Sequence, residues 1–273
     1  MNPPRSWLFA PGYSHKLLSK VFDAGADAVI LDLEDSVPEA MKDGARGLVA
    51  EVANVRRCWV RVNRPRTEAC ERDLEMLAES VIGFRIPKVE AVDEVAWVAA
   101  RAPGVPLDCT IESAVGVGAV NDIARYPKCT MLSLGTIDLA NDLGSQGGQF
   151  DMLFARSLIV LASRGAGKPA PSDGVFANLG DDDGLRDEAE GACRLGFSGK
   201  SAIHPRQVKI INDAFAPSKE RLEWARQVLE AFKESGGAAT RLPNGQFVDL
   251  PVAERASAIL RSEHQLEPSR PDP

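Results

Sequence analysis

The sequence predicts a (β/α)8 barrel carrying a small C-terminal appendage. Three observations carry that reading. Short β-rich runs alternate with helical patterns, and eight strand-then-helix units fit within about 215 residues of the 273-residue chain. Several strands are continuously apolar, as parallel strands covered on both faces must be. The competing open, doubly wound sheet normally carries a glycine-rich phosphate loop, and none is present. Gly165-Ala166-Gly167-Lys168 has Ala162 and Pro169 where that loop needs glycine and a hydroxyl residue, and Gly199-Lys200-Ser201 has Arg194.

The first strand is Trp7-Leu8-Phe9, followed by an amphipathic stretch from His15. Ala28 to Leu33 precedes a helical pattern through Ala50. Cys58 to Asn63 comes next, then a helix near Cys70 to Ser80. Gly83 to Pro87 precedes a helix at Val92 to Ala100, and Leu107 to Ile111 one at Gly116 to Ile123. Thr130 to Leu134 leads into a longer helical region ending near Ser163. A weak strand near Pro169-Ala170-Pro171 precedes a helix at Gly184 to Leu195. Phe197 to Ile203 precedes the last barrel helix, Pro205 to Ala214. Beyond it the texture changes. Pro217 to Ser235 reads as one long helix, closed by Gly236-Gly237. Arg241 to Val248 reads as a hairpin, with Asn244-Gly245 suited to a type I′ turn. Pro251 to Arg261 is a final helix with proline at its start. The expected divisions are a catalytic barrel over 1–218, a lid or oligomerisation segment over 219–263 and a disordered tail over 264–273.

Composition narrows the function. The chain is 44% hydrophobic and 26% charged, ordinary for a globular protein. A net charge of −7 argues against general nucleic-acid binding, which depends on neutralising phosphates. No apolar run approaches the ~18 residues of a membrane span, and no signal peptide is read at the N-terminus. Five scattered cysteines (Cys58, Cys70, Cys109, Cys129 and Cys193) form no CxxC pair, so reduced thiols and a cytoplasmic location are expected.

The chemistry of such a barrel sits at the C-terminal ends of its strands. There the chain places Asp32-Leu33-Glu34-Asp35 (strand 2), Arg61 and Asn63 (strand 3), Lys88 (strand 4), Glu112 (strand 5), Asp138 (strand 6) and His204 (strand 8). Carboxylates ringed with one Arg and one Lys suggest a divalent cation and an anionic substrate. Each residue also has a plainer role open to it. Asp35 suits a helix cap, Arg61 a structural pair with Glu34, His204 a loop contact, and Asp142 a helical surface or packing position. Lys88 suits a Schiff base, the metal-free route to carbon–carbon cleavage.

Leu8-Phe9-Ala10-Pro11-Gly12, Ile30 to Val37 with Lys42 and Ala45-Arg46, Arg61-Val62-Asn63, Pro87-Lys88 and Ile111-Glu112-Ser113 stand in one order along the chain. Gly135 to Leu139, Gly199 to Pro205 with Gln207, and Val248-Asp249-Leu250-Pro251 continue it. The ordered set, spanning residues 5 to about 262, resembles the citrate lyase β-subunit-like family, which includes malyl-CoA and citramalyl-CoA lyases.

The resemblance implies a Mg2+-dependent barrel, with Mn2+ as a substitute, that cleaves or forms a carbon–carbon bond in a hydroxyacyl-CoA thioester. It implies Glu112 and Asp138 as metal ligands, and Arg61 as the contact to the keto-acid fragment. Glu34 would support Arg61 and the metal waters. Phe9, Asn63, Lys88 and His204 join the substrate-binding set. Asp249, in a lid that closes over a neighbouring subunit, would be the acid/base at the thioester α-carbon, with a helix cap as its plainer role. Lys16, Lys20 and Arg46 are candidates for the CoA phosphates by position. A homotrimer is the implied assembly. Ser113 stands where the family usually has Thr, and Ile137 where an acidic residue is common. The resemblance leaves open a citryl thioester lyase subunit working with an acyl carrier, a CoA-independent pyruvate aldolase, and a non-catalytic assembly or regulatory barrel.

Overall fold

A computed structural model describes residues 3–264. Eight parallel strands close into a barrel in sequential order. They are β1 (Ser6–Pro11), β2 (Ala28–Asp32), β3 (Trp59–Arg61), β4 (Gly83–Ile86), β5 (Leu107–Ile111), β6 (Cys129–Leu134), β7 (Ser172–Asp173) and β8 (Gly199–Ala202). Nine α-helices belong to the same unit. They are α1 (His15–Leu18), α2 (Lys42–Ala53), α3 (Glu68–Leu77), α4 (Val92–Arg101), α5 (Ala114–Arg125), α6 (Thr136–Leu143), α7 (Leu153–Gly165), α8 (Asp182–Leu195) and α9 (Pro205–Phe215). No helix among the described residues is long and apolar enough to cross a membrane.

Strand periodicity divides the core in two. Leu8, Leu31, Val60, Phe84, Cys109 and Leu132 are buried in one large cluster with helix residues such as Val49, Leu74, Val98 and Ile159. A separate cluster joins Trp7, Ile30 and Met131, with Phe9, Ala28 and Trp59 against them, and plugs the barrel interior. The Trp7 and Trp59 rings meet edge to face, centroids 5.4 Å apart. Gly83 makes that packing possible, because a Cβ there would lie 2.3 Å from the Trp59 ring.

Three expectations need correction. The seventh strand is Ser172–Asp173 rather than Pro169-Ala170-Pro171. Prolines cannot donate to a ladder, so pairing starts only after the second one. The long helical region after β6 is two helices. Gly144 ends α6 in the left-handed conformation (φ 64°), and Gly147 (φ 81°) follows before α7 begins. The Asn-Gly hairpin is not a two-residue type I′ turn. Pro243 holds a negative φ, Gly245 N–H donates to the Leu242 carbonyl, and Gly245 takes the left-handed position (φ 87°) of a three-residue loop.

The contacts divide the described chain into the barrel unit, Pro3–Phe215, and a second unit from Ala216 onward. The second unit holds α10 (Lys219–Glu234), the two-stranded β9 (Thr240–Arg241) and β10 (Phe247–Val248), and α11 (Leu250–His264). It has its own small core of Ala225, Val228, Leu242, Val248, Ala253, Ala256 and Ile259. The expected tail lies, from residue 265 on, outside the described residues. Of the cysteines, Cys58, Cys70, Cys109 and Cys129 are buried and all five are free thiols.

Gly83→Ala tests the interior plug. Overpacking costs ~1–3 kcal/mol, so thermal denaturation should show Tm lower by roughly 3–10 °C. An unchanged Tm would mean the Trp59 ring is free to move aside.

Candidate active site

The C-terminal ends of the strands surround a cavity of about 470 Å³. Its lining includes Phe9, Asp32, Arg61, Glu112 and Asp138, with Arg85, Thr110 and Ser201 deeper in the barrel. A second, polar cleft of about 560 Å³ adjoins it and is lined by Glu34, Asp35, Lys42, Asn63, Arg64 and Lys88, among others.

Arg61 ends β3 beside Asp32, its register partner at the end of β2. Its Nε and Nη2 donate to the two Asp32 oxygens at 2.7 Å each, and Nη1 stands 3.0 Å from Glu34. Burial works against the Arg61 charge, but the two carboxylates override it and raise its pKa further. The Asp32 carboxyl is likewise held below its ordinary pKa: burial opposes this and Arg61 outweighs it. The guanidinium also lies 5.2 Å from the Phe9 ring centroid.

Lys88 follows β4 with a positive φ of 52°, a strained conformation for a residue with a side chain. That backbone aims its N–H at Glu112 Oε1 (2.6 Å) while its ammonium reaches Glu34 (2.5 Å) and Asp35 (3.0 Å). Burial disfavours the ammonium, yet the two carboxylates raise its pKa above the ordinary lysine value. A Schiff-base lysine needs a depressed pKa, so this environment argues against that route.

Glu112 leaves β5 almost fully buried, with one oxygen taken by the Lys88 N–H. Burial, then Glu34, then Asp138 push its pKa up to about 7. Gly135 permits the approach, since a Cβ there would fall 2.1 Å from Glu112 Oε2. Asp138 lies in the first turn of α6, on the cavity wall, and its carboxylate has no hydrogen-bond partner among the described residues. Two carboxylates thus repel each other across one cavity, and Arg61 offsets this only in part for Glu112. The donors are all oxygen, the set a hard divalent cation takes. Among the described residues no three acidic, His or Cys side chains gather into a complete cage, so such an ion would keep waters or ligand oxygens.

Several sequence expectations are corrected here. Arg46 is buried and spent on Asp73 (2.7 Å) and Asp43 (2.6 Å), which leaves nothing for a CoA phosphate. Asn63 is also buried. Its amide donates to Asp73 and its oxygen accepts from Lys42, which in turn donates to the Leu33 and Glu34 carbonyls. Asn63 therefore braces the β2 end; it lines the second cleft and not the 470 Å³ cavity. His204 is exposed, accepts from the Arg206 N–H and does not line the 470 Å³ cavity, whereas Ile203 and Ser201 do. Asp35 pairs with Lys88 instead of capping a helix, and Asp142 caps α5 by accepting from the Ala114 N–H. Lys16 and Lys20 are exposed. In the second unit, Asp249 caps α11 by accepting from the Val252 N–H at 3.2 Å. Sequence reasoning missed Arg85 and Asp108. A charged residue in the middle of an otherwise apolar strand was the available signal.

Residues 5–205 match the model of the HpcH/HpaI aldolase/citrate lyase family. A (3S)-malyl-CoA thioesterase of Cereibacter sphaeroides is 36% identical, the alignment covering 96% of this chain and 95% of that protein. The citrate lyase subunit beta of Leuconostoc mesenteroides subsp. cremoris is 33% identical over 94% of this chain and 92% of its own. Among solved structures, CitE from Mycobacterium tuberculosis, in complex with magnesium, acetoacetate and coenzyme A, superposes with a TM-score of 0.83. It shares 33% identity, and the match covers 95% of this chain and 98% of that one.

The Glu112 environment makes a pH-dependent prediction. A carboxyl with a raised folded-state pKa binds its proton more tightly folded than unfolded, so stability falls as pH rises from about 4.5 to about 7. In chelator-treated protein, Glu112→Gln should therefore be more stable than the parent at pH 8, by up to ~3 kcal/mol, and nearly equal to it at pH 4.5. Denaturant titrations at the two pH values check this. A pH-independent difference would contradict the electrostatic account.

Proposed function

The chain belongs to the HpcH/HpaI aldolase/citrate lyase family, and we propose that it is a Mg2+-dependent carbon–carbon lyase acting on a hydroxyacyl-CoA thioester of malyl-CoA or citramalyl-CoA type. The products would be acetyl-CoA and a 2-keto acid. The observation that carries this reading is Glu112 and Asp138 facing one cavity beside the doubly anchored Arg61. The magnesium in the CitE complex supports it.

Glu112 and Asp138 would hold Mg2+, or Mn2+ in its place. The bound cation would supply Lewis-acid stabilisation to the hydroxyl and carboxylate of the keto-acid fragment. Arg61, fixed in orientation by Asp32, would donate charge-assisted hydrogen bonds to the same oxygens. The carbinol hydroxyl would give up its proton to solvent water as the bond from the carbinol carbon to the thioester α-carbon breaks. The electron pair of that bond passes to the α-carbon as the acetyl-thioester enolate, and a positioned acid then protonates that carbon. Asp249 is our candidate for that acid. Its cap bond uses one oxygen and leaves the other available. Lys16 and Lys20 are the remaining candidates for the CoA phosphates, and Phe9 for a substrate contact. We take the second unit as the lid of a homotrimer, presented to a neighbouring copy.

Thioester hydrolysis is a second reading, favoured by the relatives named (3S)-malyl-CoA thioesterase. A carrier-bound citryl thioester is a third, favoured by the citrate lyase beta subunits. Mass spectrometry of (3S)-malyl-CoA incubated with enzyme and Mg2+ separates the first two. Acetyl-CoA with glyoxylate is the lyase outcome, and free CoA with malate the hydrolytic one. The first pair is expected, and Asp138→Ala should remove it while leaving the circular dichroism spectrum unchanged. Full turnover in excess chelator would end the metal-dependent account.

Asp249→Asn separates cap from acid. Asn caps a helix about as well as Asp, so Tm should hold, while turnover should fall ~10²–10⁴-fold. Turnover within about twofold of the parent would assign Asp249 to the helix cap alone.

A further inference from the structure

The two carboxylates proposed for the cation belong to neighbouring segments of the barrel mouth. Glu112 stands between β5 and α5, and Asp138 lies in the first turn of α6. Hydrogen bonds tie these segments together on both sides of the pair. Before it, the Gly135 N–H donates to the Ile111 carbonyl at 3.0 Å. After it, the Ala114 N–H donates to Asp142 Oδ2 at 2.6 Å. The first bond is main chain to main chain, whereas the second depends on one side chain.

Asp142 follows Asp138 by about one helical turn and shares its face of α6. Ser113 alone separates Glu112 from Ala114. Its Oγ accepts from the Gly116 N–H (3.1 Å) and donates to Glu90 (2.8 Å). Both spacers are therefore held, and little slack lies between the Asp142–Ala114 bond and either carboxylate. Asp142 itself is exposed and does not line the 470 Å³ cavity, so it reaches the pair only through α5 and α6. Repulsion between Glu112 and Asp138 acts to widen the gap that this bond spans.

We propose that Asp142 is a positioning residue for the cation site: its bond to the Ala114 N–H sets the separation of Glu112 and Asp138 before a cation arrives. The inference rests on the assignment of those two carboxylates as the cation's ligands. A preset separation lowers the cost of holding two repelling carboxylates in the geometry that a hard divalent cation takes. A helix cap without that role affects folding stability alone. The charge of Asp142 has a small part, because solvent and salt screen an exposed carboxylate.

Mn2+ titration of the chelator-treated full chain, read by the electron paramagnetic resonance signal of the free ion, is the test. Asp142→Ala should raise the Mn2+ Kd ~10-fold or more, as the loss of groups that orient metal ligands does. Asp142→Asn keeps the acceptor without the charge and should stay within about threefold of the parent. Asp181→Ala removes another cap, the one on the Gly184 N–H of α8 (2.8 Å), and serves as the control for lost stability. Tm should fall in both alanine variants, while the Kd of Asp181→Ala should match the parent's. A Kd for Asp142→Ala within about twofold of the parent's would overturn the positioning role and leave the cation site standing. So would an equal loss of affinity in Asp142→Asn or in Asp181→Ala. A parent that takes up no Mn2+ would overturn the cation site and the inference together.

Discussion

The two-bond clamp between Arg61 and Asp32 sets the layout of the barrel mouth. Asp32 is buried and Arg61 largely so, and a buried charge left without its partner costs several kcal/mol. The clamp therefore holds a guanidinium face at a fixed place inside the cavity rather than letting it follow the solvent. Glu34 stands on the far side of Arg61 and hands the charge on to Lys88, which hands it to Asp35. Alternating signs run from the strand ends toward the rim. Glu112 and Asp138 fall outside that alternation, and burial, reinforced by Glu34 and Asp138, lifts the Glu112 pKa to about 7.

Depth in the barrel sorts the interior by polarity. Trp7, Ile30, Trp59 and Met131 fill the lowest part with no need of hydrogen bonds beyond the Trp7 indole, which donates to the Pro4 carbonyl. Arg85, Asp108, Ser172 and Ser201 form a polar layer above it, and the carboxylates and Arg61 follow at the mouth. An apolar plug with low dielectric beneath strengthens the electrostatic interactions above it and closes the cavity to water from that end.

The barrel was legible in the sequence because its signal is distributed. Eight strand-then-helix units each repeat the same apolar alternation, so misjudging the boundary of β7 or splitting the α6–α7 region leaves the topology intact. Arg61 and Glu112 were legible because they stand at the ends of apolar strands, and Asp138 because it follows one closely. Arg46 and Asn63 misled because motif membership does not tell a ligand contact from a brace. Both are bound to Asp73, a residue from α3 that carries no signal of its own in the sequence. Arg85 and Asp108 went unread for a related reason. Each looks like an interruption of its strand, and only the pairing of β4 with β5 makes them neutralise one another.

Lys88 shows how few residues connect these parts. Its main-chain N–H fixes Glu112 and its ammonium fixes Glu34, so one residue spans the carboxylate proposed for the cation and the carboxylate that backs Arg61. Doing both requires the N–H to turn toward β5 while the side chain runs back toward β2, and the left-handed φ of 52° supplies that turn. A side chain in that conformation is strained by about 1 kcal/mol or more and persists only where surrounding contacts over-determine it. Glycine would remove the strain and the ammonium together, leaving Glu34 and Asp35 adjacent with Arg61 as the cation shared by the remaining carboxylates. The strained lysine thus ties the acidic groups that follow β2 to the one that follows β5.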